Sequence, residues 1–188
     1  MDNISQNAVH NVVHSNQHTN RWCALPVPYP EVRVEMPNLY HAQLLLEDYA
    51  GQVSEMTAIS QYFHHHIVFE PISEELAELE ECLSIVEMMH LEMLGEIILK
   101  LGVDPKIRTI TNNIDIYWNA AFVFYGDSVC DRLAADIAAE KNAIAQYRAH
   151  QRLINDRYIN ELLERIIMDE EHHLRLFSKA YDKYCCRK

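Results

Sequence analysis

Hydrophobic residues recur with helical spacing along most of the chain. Leu39, Leu46 and Val53 are seven residues apart, so they lie on one face of a helix. Asn38 stands where a helix cap is expected, because its side chain can accept a hydrogen bond from a free backbone N–H group. The pattern predicts a first helix over residues 38–68.

Three further helices are predicted, each bounded by capping or turn-forming residues. They run from Ser73 to about Gly102, from Asp127 to about Ile154 and from Asp156 to about Tyr184. The segment between the second and third of the four helices, residues 103–126, contains the apolar run IYWNAAFVFY. We expect this segment to pack against the helices, because so apolar a stretch is unfavourable in water.

The lengths of the connections predict the topology. The first and second helices are joined by a few residues, as are the third and fourth, so each pair should form an antiparallel hairpin. The middle connection can span the length of a bundle, since an extended chain covers about 3.3 Å per residue. The sequence therefore predicts an all-α four-helix bundle, made of two antiparallel helical hairpins joined by one long crossover.

The N-terminal part of the chain differs in composition. Residues 1–37 are predicted to form a disordered tail followed by an extended arm, because Asn, Gln and His dominate the start and prolines recur afterwards. Val32, Val34 and Met36 alternate along this arm and could lie along a subunit surface. Residues 38–188 are predicted to form one domain.

Composition and charge argue against several classes of function. With 28 acidic and 16 basic residues, the formal net charge is −12, which disfavours binding to DNA or RNA. No apolar stretch approaches the roughly 20 residues that span a bilayer, so no membrane association is expected. The N-terminus lacks the features of a signal peptide, and we expect a cytoplasmic protein.

The five cysteines are expected to be reduced. They are odd in number and form no Cys-x-x-Cys pair. Disulfides are rare in the cytoplasm, where we place the protein. The adjacent Cys185 and Cys186 are expected to be inert thiols.

An internal repeat carries the strongest functional signal. Residues 55–62 read EMTAISQY and residues 140–147 read EKNAIAQY, with five identities at equal offsets. Residues 87–91 then read EMMHL, and residues 170–174 read EEHHL. Both halves therefore place a Glu on one helix and a Glu-x-x-His-Leu on the next, separated by 32 and 30 residues.

The four glutamates of this repeat should meet in mid-bundle. Each lies about 13 to 14 residues from the hairpin end of its helix, so antiparallel pairing brings all four to one level. Glu and His three residues apart share a helix face, and buried carboxylates need cations to offset their charge. These features predict a dinuclear metal centre formed by Glu55, Glu87, His90, Glu140, Glu170 and His173. Glu55 and His90 are assigned to one ion, and Glu140 and His173 to the other. Glu87 and Glu170 are expected to bridge both ions.

Other residues near this centre have more than one interpretation. Tyr62 and Tyr147 each follow a predicted ligand by seven residues, and could act in catalysis through hydrogen bonds or electron transfer, or simply pack in the core. Asp169 could orient a ligand histidine. Four histidines one turn further on could guide ions or protons, although solvated helix ends are the preferred interpretation; they are His64, His65, His66 and His150.

These motifs resemble the ferritin-like superfamily, in particular its bacterioferritin, rubrerythrin and manganese-catalase branches. The resemblance covers residues 38–184 and rests on the doubled Glu and Glu-x-x-His pattern. The phrases PVPYPEVRV and MDEEHHLRLF are similar to small clostridial-type ferritin-like proteins and to spore-coat manganese catalases. The resemblance implies a ferritin-like bundle and two metal ions, Fe or Mn. It also implies a homo-oligomer and, for the spore-coat relatives, a spore-associated location.

The sequence departs from individual branches of this superfamily. Without a Cys-x-x-Cys pair, the rubredoxin domain of full rubrerythrins and its electron donor are missing, and Ala143 stands where rubrerythrins carry an extra carboxylate. A fifth helix, as in 24-subunit storage shells, is not expected. Met88 stands where bacterioferritins place a haem-ligating methionine, but haem is not expected here. In manganese catalases the residue at Glu170 can be a base instead of a ligand.

Three functions follow from the resemblance. The first is an oxidoreductase that acts on hydrogen peroxide or dioxygen, as in manganese catalase or a rubrerythrin-like peroxidase. The second is a ferroxidase that oxidises Fe²⁺ for iron handling. The third is a metal-stabilised structural protein, such as a coat component. Imidazole and carboxylate ligands accept both Fe and Mn, so the ligand set leaves the metal open.

Overall fold

The computed structural model describes residues 22–186, and the predicted disordered tail lies outside this range. Five α-helices, a small β-hairpin and a short 3-10 helix (Ala120–Phe122) make up the regular structure of these residues. The helices are α1 (Leu39–Ala50), α2 (Glu55–Phe69), α3 (Glu74–Lys100), α4 (Val129–Leu153) and α5 (Arg157–Cys185). Helices α1 and α2 together occupy the place of the first predicted helix. The predicted four-helix bundle, with two hairpins and a long crossover, is confirmed.

Each helix begins at a side chain that accepts a hydrogen bond from a backbone N–H group of the first turn. The capping residues are Asn38, Ser54, Ser73, Ser128 and Asp156. Such caps satisfy backbone donors that have no partner within the helix. At the other end of α3, Gly102 adopts a φ of +93°, a left-handed conformation that glycine tolerates best.

The prediction of one continuous helix over residues 38–68 is wrong. Gly51 ends α1, and a Cβ atom there would lie 2.6 Å from the carbonyl oxygen of Glu47. Ser54 then caps α2 and its hydroxyl donates to the Gly51 carbonyl oxygen at 2.8 Å. The break places Glu55 at the first residue of α2.

The crossover contains a β-hairpin that the sequence pattern did not predict. Strands β1 (Arg108–Thr111) and β2 (Ile114–Tyr117) pair antiparallel around Asn112 and Asn113, both of which have positive φ. The expected packing of this segment on the bundle is observed, since Trp118 contacts the core and donates its indole N–H to Thr57 of α2 at 2.9 Å.

Two apolar clusters form the core and leave a polar layer between them. One cluster contains Leu94 of α3 and Ile166 of α5, and the other contains Leu83 of α3 and Phe177 of α5. The Glu-x-x-His motifs of both helices lie between these positions along the chain. The polar site is therefore enclosed by hydrocarbon on both sides along the bundle axis.

The expectation of five reduced cysteines is wrong for four of them. Cys23 is bonded to Cys82, and Cys130 to Cys185, while the exposed Cys186 is a free thiol. The partners are 59 and 55 residues apart, so they meet only through packing and no local spacing announces them. Since disulfides persist mainly in oxidising surroundings, the cysteines give no support to a cytoplasmic location, which stays a prediction.

The described part of the arm, residues 22–37, lies against the helices. Val32 and Val34 pack on the first apolar cluster, whereas Met36 is 67% exposed. Its Cys23 ties the arm to α3 through a disulfide. Within residues 22–186, no helix is both long and apolar enough to cross a membrane.

Candidate metal centre

The structure brings all six predicted ligands together in the middle of the bundle. Helices α2 and α4 each contribute one glutamate, and α3 and α5 each contribute a glutamate and a histidine; every one of these side chains is buried. Their donor atoms form two interlocking groups. One group is Glu55, Glu87, His90 and Glu170, and the other is Glu87, Glu140, Glu170 and His173. Glu87 and Glu170 belong to both groups.

The two imidazoles have closely similar surroundings. His90 Nδ1 lies 2.9 Å from Glu87 Oε2, 3.1 Å from Glu170 Oε1 and 3.8 Å from Glu55 Oε1. The ring centroids of the two histidines are 6.1 Å apart, with 24° between their planes.

On the other side, His173 Nδ1 lies 3.0 Å from Glu87 Oε1, 3.3 Å from Glu170 Oε2 and 3.8 Å from Glu140 Oε1. In each of the two shared carboxylates, Glu87 and Glu170, one oxygen therefore faces His90 and the other faces His173. The side chains of the two repeat halves are therefore related by a pseudo-twofold axis.

Two tyrosines bind the outer glutamates across the two halves of the repeat. Tyr62 of α2 donates its hydroxyl to Glu140 Oε1 of α4 at 2.5 Å, and Tyr147 of α4 donates to Glu55 Oε1 of α2. Burial and the neighbouring carboxylates raise the pKa of both phenols well above the usual value. The tyrosines therefore stay protonated and hold the two carboxylates in place.

A third tyrosine, which sequence reasoning missed, reaches the centre from the N-terminal arm. Tyr29 donates its hydroxyl to Asp169 Oδ2, and its oxygen lies 3.2 Å from His90 Nε2. Asp169 Oδ2 is itself 3.3 Å from His90 Nε2, as expected of a residue that orients a ligand histidine. Burial raises the pKa of Tyr29 to about 12, so this phenol remains a donor.

Arg165 of α5 anchors the arm beside Asp169. Its guanidinium lies 2.7 Å from Asp169 Oδ2 and donates to the backbone oxygens of Leu25 and Val27 at 2.9 and 2.8 Å. The Leu25 N–H group donates to Asp169 Oδ1 at 2.9 Å. Burial opposes ionisation of Asp169, but hydrogen bonds from His90, Arg165 and Tyr29 hold its pKa well below the usual value.

His173 has no equivalent support. Its Nε2 atom is buried and makes no hydrogen bond with any described residue. The residue on α3 that corresponds in sequence to Asp169 is Val86, which is fully buried and has no polar side-chain atom. Among the described residues, hydrogen-bond partners at Nε2 are found for His90 and not for His173.

The protonation of the centre reflects crowded negative charge. Burial and the charges of Glu170 and Glu87 raise the pKa of Glu55 and of Glu140 well above the usual value. Burial favours the neutral imidazole of His173, but the carboxylates raise its pKa to about 9. The four carboxylates therefore attract positive charge, which bound cations would supply in place of protons.

The donor atoms fit a pair of metal ions. Glu87 Oε1, Glu170 Oε1 and His173 Nδ1 are buried, and none makes a well-directed hydrogen bond in the structure. Native interiors rarely leave such atoms without partners. Mixed carboxylate and imidazole donors accept both Fe²⁺ and Mn²⁺.

A cavity of about 520 Å³ reaches the centre from one side. Glu55, Glu140 and Glu170 form part of its wall, together with the rings of Tyr62 and Tyr147. Five alanines of α4 also line the cavity; they are Ala134, Ala135, Ala138, Ala139 and Ala143. The cavity gives a small molecule access to the shared carboxylate Glu170.

The preferred interpretation of the neighbouring histidines is wrong for two of the four. His65 and His150 are buried and lie against Asp136 and Asp48, with Nδ1 to carboxylate distances of 3.0 and 2.7 Å. His65 follows Glu55 by ten residues, and His150 follows Glu140 by ten residues. This equal spacing in the two halves of the repeat was a sequence signal that both histidines are buried. The other two, His64 and His66, are partly exposed.

Met88, which stands at the position of the haem-ligating methionine of bacterioferritins, is 45% exposed on α3.

Comparison with known families and structures agrees with this geometry. The family model described as "Ferritin-like domain" matches residues 51–184. The chain belongs to the ferritin-like family. The resemblance drawn from the Glu and Glu-x-x-His repeat is thereby confirmed.

Relatives of this ferritin-like chain include proteins with different named functions. A probable manganese catalase from Clostridium acetobutylicum is 27% identical over 172 residues, which is 81% of this chain and 75% of the relative. The crystal structure of a manganese catalase from Anabaena superposes with a TM-score of 0.76 at 26% identity, covering 85% of this chain and 78% of that one. A bacterioferritin from Mycobacterium tuberculosis has a TM-score of 0.64 at 26% identity, covering 79% and 87%.

Proposed function

We propose that this chain is a dinuclear manganese or iron oxidoreductase that acts on hydrogen peroxide, with peroxide dismutation as its reaction. One observation carries the proposal: two four-residue groups of buried donors share Glu87 and Glu170. Two ions that share carboxylates lie close enough to exchange two electrons with one substrate molecule. The likeness to manganese catalases over most of the chain supports peroxide as that substrate.

In this proposal Glu55 and His90 hold one ion, and Glu140 and His173 hold the other. Glu87 and Glu170 would serve both ions, because each carboxylate lies between the two imidazoles. The bound ions supply the electron transfer. The protein supplies a dry, preorganised site with an entrance for a small substrate.

The remaining side chains position the ligands and handle protons. Glu170 lines the cavity and its Oε1 lacks a well-directed hydrogen bond, so a Glu170 oxygen released from its ion would accept a proton from a peroxide hydroxyl. Tyr62 and Tyr147 keep the Glu140 and Glu55 carboxylates oriented, and both tyrosines line the cavity wall. Tyr29 and Asp169 fix the ring of His90.

Oxygen evolution tests this proposal. The chain is stripped of metal, loaded with Mn²⁺ and mixed with hydrogen peroxide without a reductant, and oxygen is followed with an electrode. We expect continuous oxygen release that depends on Mn²⁺ loading. If the Mn-loaded protein releases no oxygen above free Mn²⁺, peroxide dismutation is wrong.

A ferroxidase is the second candidate, supported by the likeness to a bacterioferritin. It predicts that Fe²⁺ added in air is oxidised faster with the chain than without it, and that Mn-loaded protein leaves peroxide intact. The structural-protein alternative predicts neither reaction. The two assays on the same preparation separate the three.

We further propose that the chain forms a homo-oligomer. Strand β2 exposes Ile114, Ile116 and Tyr117, which are between 47% and 62% accessible. Grouped apolar side chains of this kind favour contact with another protein surface. Size-exclusion chromatography with light scattering should report a mass above the monomer's 22.0 kDa.

A further inference from the structure

A second buried cluster lies beside the dinuclear centre and contains His65 of α2, Glu80 of α3 and Asp136 of α4. All three side chains are fully buried, and one donor atom of each lies within 4.8 Å of the other two. Asp136 precedes Glu140 by four residues, which is about 6 Å along α4. The cluster is therefore separate from the dinuclear centre but close to it.

The backbone of Phe124 in the crossover fixes the orientation of two residues at this cluster. Its carbonyl oxygen accepts from His65 Nε2 at 2.8 Å, and its N–H group donates to Gln61 Oε1 at 3.0 Å. Since a carbonyl oxygen can only accept, the His65 hydrogen is on Nε2. The other ring nitrogen, Nδ1, faces both oxygens of Asp136, each 3.0 Å away.

Glu80 receives no hydrogen bond from any described residue. Both of its carboxyl oxygens are buried and accept none. An ionised Glu80 would need a donor or a cation, and a protonated one has the carboxylate of Asp136 as its hydrogen-bond acceptor. Burial and the charge of Asp136 also raise the pKa of Glu80 well above the usual value, which shows how poorly the surroundings support its ionised form.

The other half of the repeat contains a corresponding cluster that lacks the carboxylate of Glu80. This counterpart cluster consists of Asp48, Gln146 and His150. Gln146 and His150 stand at the same offsets from Glu140 as Gln61 and His65 from Glu55. There His150 binds Asp48 at 2.7 Å, and Gln146 donates to Asp48 at 2.9 Å. The residue at the offset of Glu80, seven before Glu170, is the buried Leu163.

One histidine balances one aspartate in the counterpart, so that pair needs no further charge. The first cluster keeps a histidine and an aspartate and adds Glu80, a second buried carboxyl group. With His65 as a neutral nitrogen donor, its two carboxylates would match the charge of one divalent cation.

We propose that His65, Glu80 and Asp136 bind a divalent transition-metal ion, as a third ion next to the dinuclear centre. One imidazole nitrogen and two carboxylates are a donor set that Mn²⁺, Fe²⁺ and Zn²⁺ accept. Two donors that are each about 2.1 Å from one ion and at right angles are about 3.0 Å apart, the spacing of His65 Nδ1 and Asp136.

The second-sphere contacts suit this role. Gln61 Nε2 donates to Asp136 Oδ1 at 2.8 Å and leaves the Oδ2 atom for the ion, while the Phe124 carbonyl fixes the His65 tautomer. Gln61 and Phe124 also line the cavity that reaches the dinuclear centre. An ion that enters through the cavity therefore passes next to the cluster.

Metal stoichiometry with Mn²⁺ as the probe tests the third ion. Chelator-stripped full-length chain is loaded with excess Mn²⁺, desalted and analysed by plasma mass spectrometry. We expect three ions per chain in the wild type and two in Glu80→Leu, which copies the composition of the counterpart cluster. Glu81→Leu, on the exposed face of α3, should keep three.

Electron paramagnetic resonance gives a second readout, because an isolated Mn²⁺ ion has a hyperfine-split spectrum distinct from that of a coupled pair. This signal should be present in the wild type and lost in Glu80→Leu. If that variant fails to fold, Glu80→Gln keeps the shape of the side chain and should show the same losses. The proposal is overturned if the Glu80 variants bind as many ions as the wild type and keep the signal.

The failure of this proposal is distinguishable from that of the dinuclear centre. A wild type and a Glu80→Leu variant that both bind two ions would contradict only the third site. A wild type with one ion and a Glu80→Leu variant with none would support the third site and contradict the dinuclear centre.

Discussion

The His90 half and the His173 half of the centre have the same ligand types but different surroundings. Each Nδ1 atom faces three glutamates at nearly matching distances. The Nε2 atom of His90 meets Asp169 and Tyr29, whereas that of His173 meets no described partner. The repeat thus explains the ligands, and the arm, which has no copy in the other half, makes the two sides unequal.

This inequality has a chemical consequence. A carboxylate at the second nitrogen of a ligand histidine fixes the ring and increases its basicity. We therefore expect the ion on the His90 side to bind more tightly than the ion on the His173 side. The two ions should load in sequence instead of together.

Removal of both shared carboxylates should have the largest effect, because Glu87 and Glu170 belong to the donor groups of both ions. The double variant Glu87→Ala with Glu170→Ala should lose both ions of the dinuclear centre and all oxygen evolution. The matched control replaces their exposed neighbours on the same helices, Glu92→Ala with Glu171→Ala, and should retain both. Two tightly bound ions at this centre in the double variant would refute the ligand assignment.

Asp169→Asn should weaken metal binding on the His90 side of the centre and leave the His173 side unchanged. Loss of the carboxylate's charge should weaken the ion on the His90 side about 10- to 100-fold and leave the other ion nearly unchanged. It also leaves the buried guanidinium of Arg165 without its counter-charge, at a cost of about 3–5 kcal/mol in unfolding free energy.

Competition titration with a chelator measures the two affinities of this variant, and urea unfolding measures its stability. Asp182→Asn, on the exposed face of the same helix, is the control and should match the wild type. Equal weakening of both ions would show that Asp169 does not act through His90.

Tyr62→Phe and Tyr147→Phe test a feature that the two halves share, the hydrogen bond from a tyrosine to an outer glutamate. Each removes one hydroxyl donor to a buried carboxylate, so each should cost about 1.5–3 kcal/mol in unfolding free energy. The two costs should agree, since the contacts are reciprocal. Urea unfolding tests this, with the exposed Tyr40→Phe as a control that should cost little. A large difference between the two would contradict the pseudo-twofold account.

The smallest effect concerns the pH dependence of stability at the counterpart cluster. Burial lowers the pKa of His150, but the hydrogen bond and charge of Asp48 outweigh it and raise that pKa above 6.5. A raised folded-state pKa means that the stabilisation is complete below about pH 6.5 and is lost as the pH rises through the higher value. We expect a small loss in unfolding free energy over this range.

His150→Gln should remove this part of the pH dependence. Urea unfolding of the two proteins on both sides of neutral pH gives the comparison. A wild-type stability that rises with pH in this window, relative to the variant, would contradict the assignment.

Much of the bundle and the centre could be predicted from the sequence, because helical spacing is local and the repeat fixes offsets. The positions of Glu55 and Glu140 relative to the hairpin ends determine their level in the bundle. The break after Gly51 does not change this level, because the residues are counted from the other end of the helix. The break itself had a signal, a glycine followed by Ser54 as a cap. The shared Gln-Tyr-x-x-His spacing also pointed to His65 and His150.

Other parts depend on contacts that sequence spacing does not encode. Tyr29 lies 140 residues from Asp169 in an irregular segment, so no periodicity relates the two. The same holds for the Cys23–Cys82 disulfide, which joins that segment to α3. Glu80 looks like one of many acidic residues on a charged helix until packing places it between His65 and Asp136.

Anomalous diffraction from crystals of the Mn-loaded chain, measured at the manganese absorption edge, tests the central claim most directly. The account predicts two peaks in the polar layer of the bundle, one between Glu55 and His90 and the other between Glu140 and His173. Both peaks should lie within bonding distance of Glu87 and Glu170. A single peak in that layer, or none, would contradict a dinuclear centre.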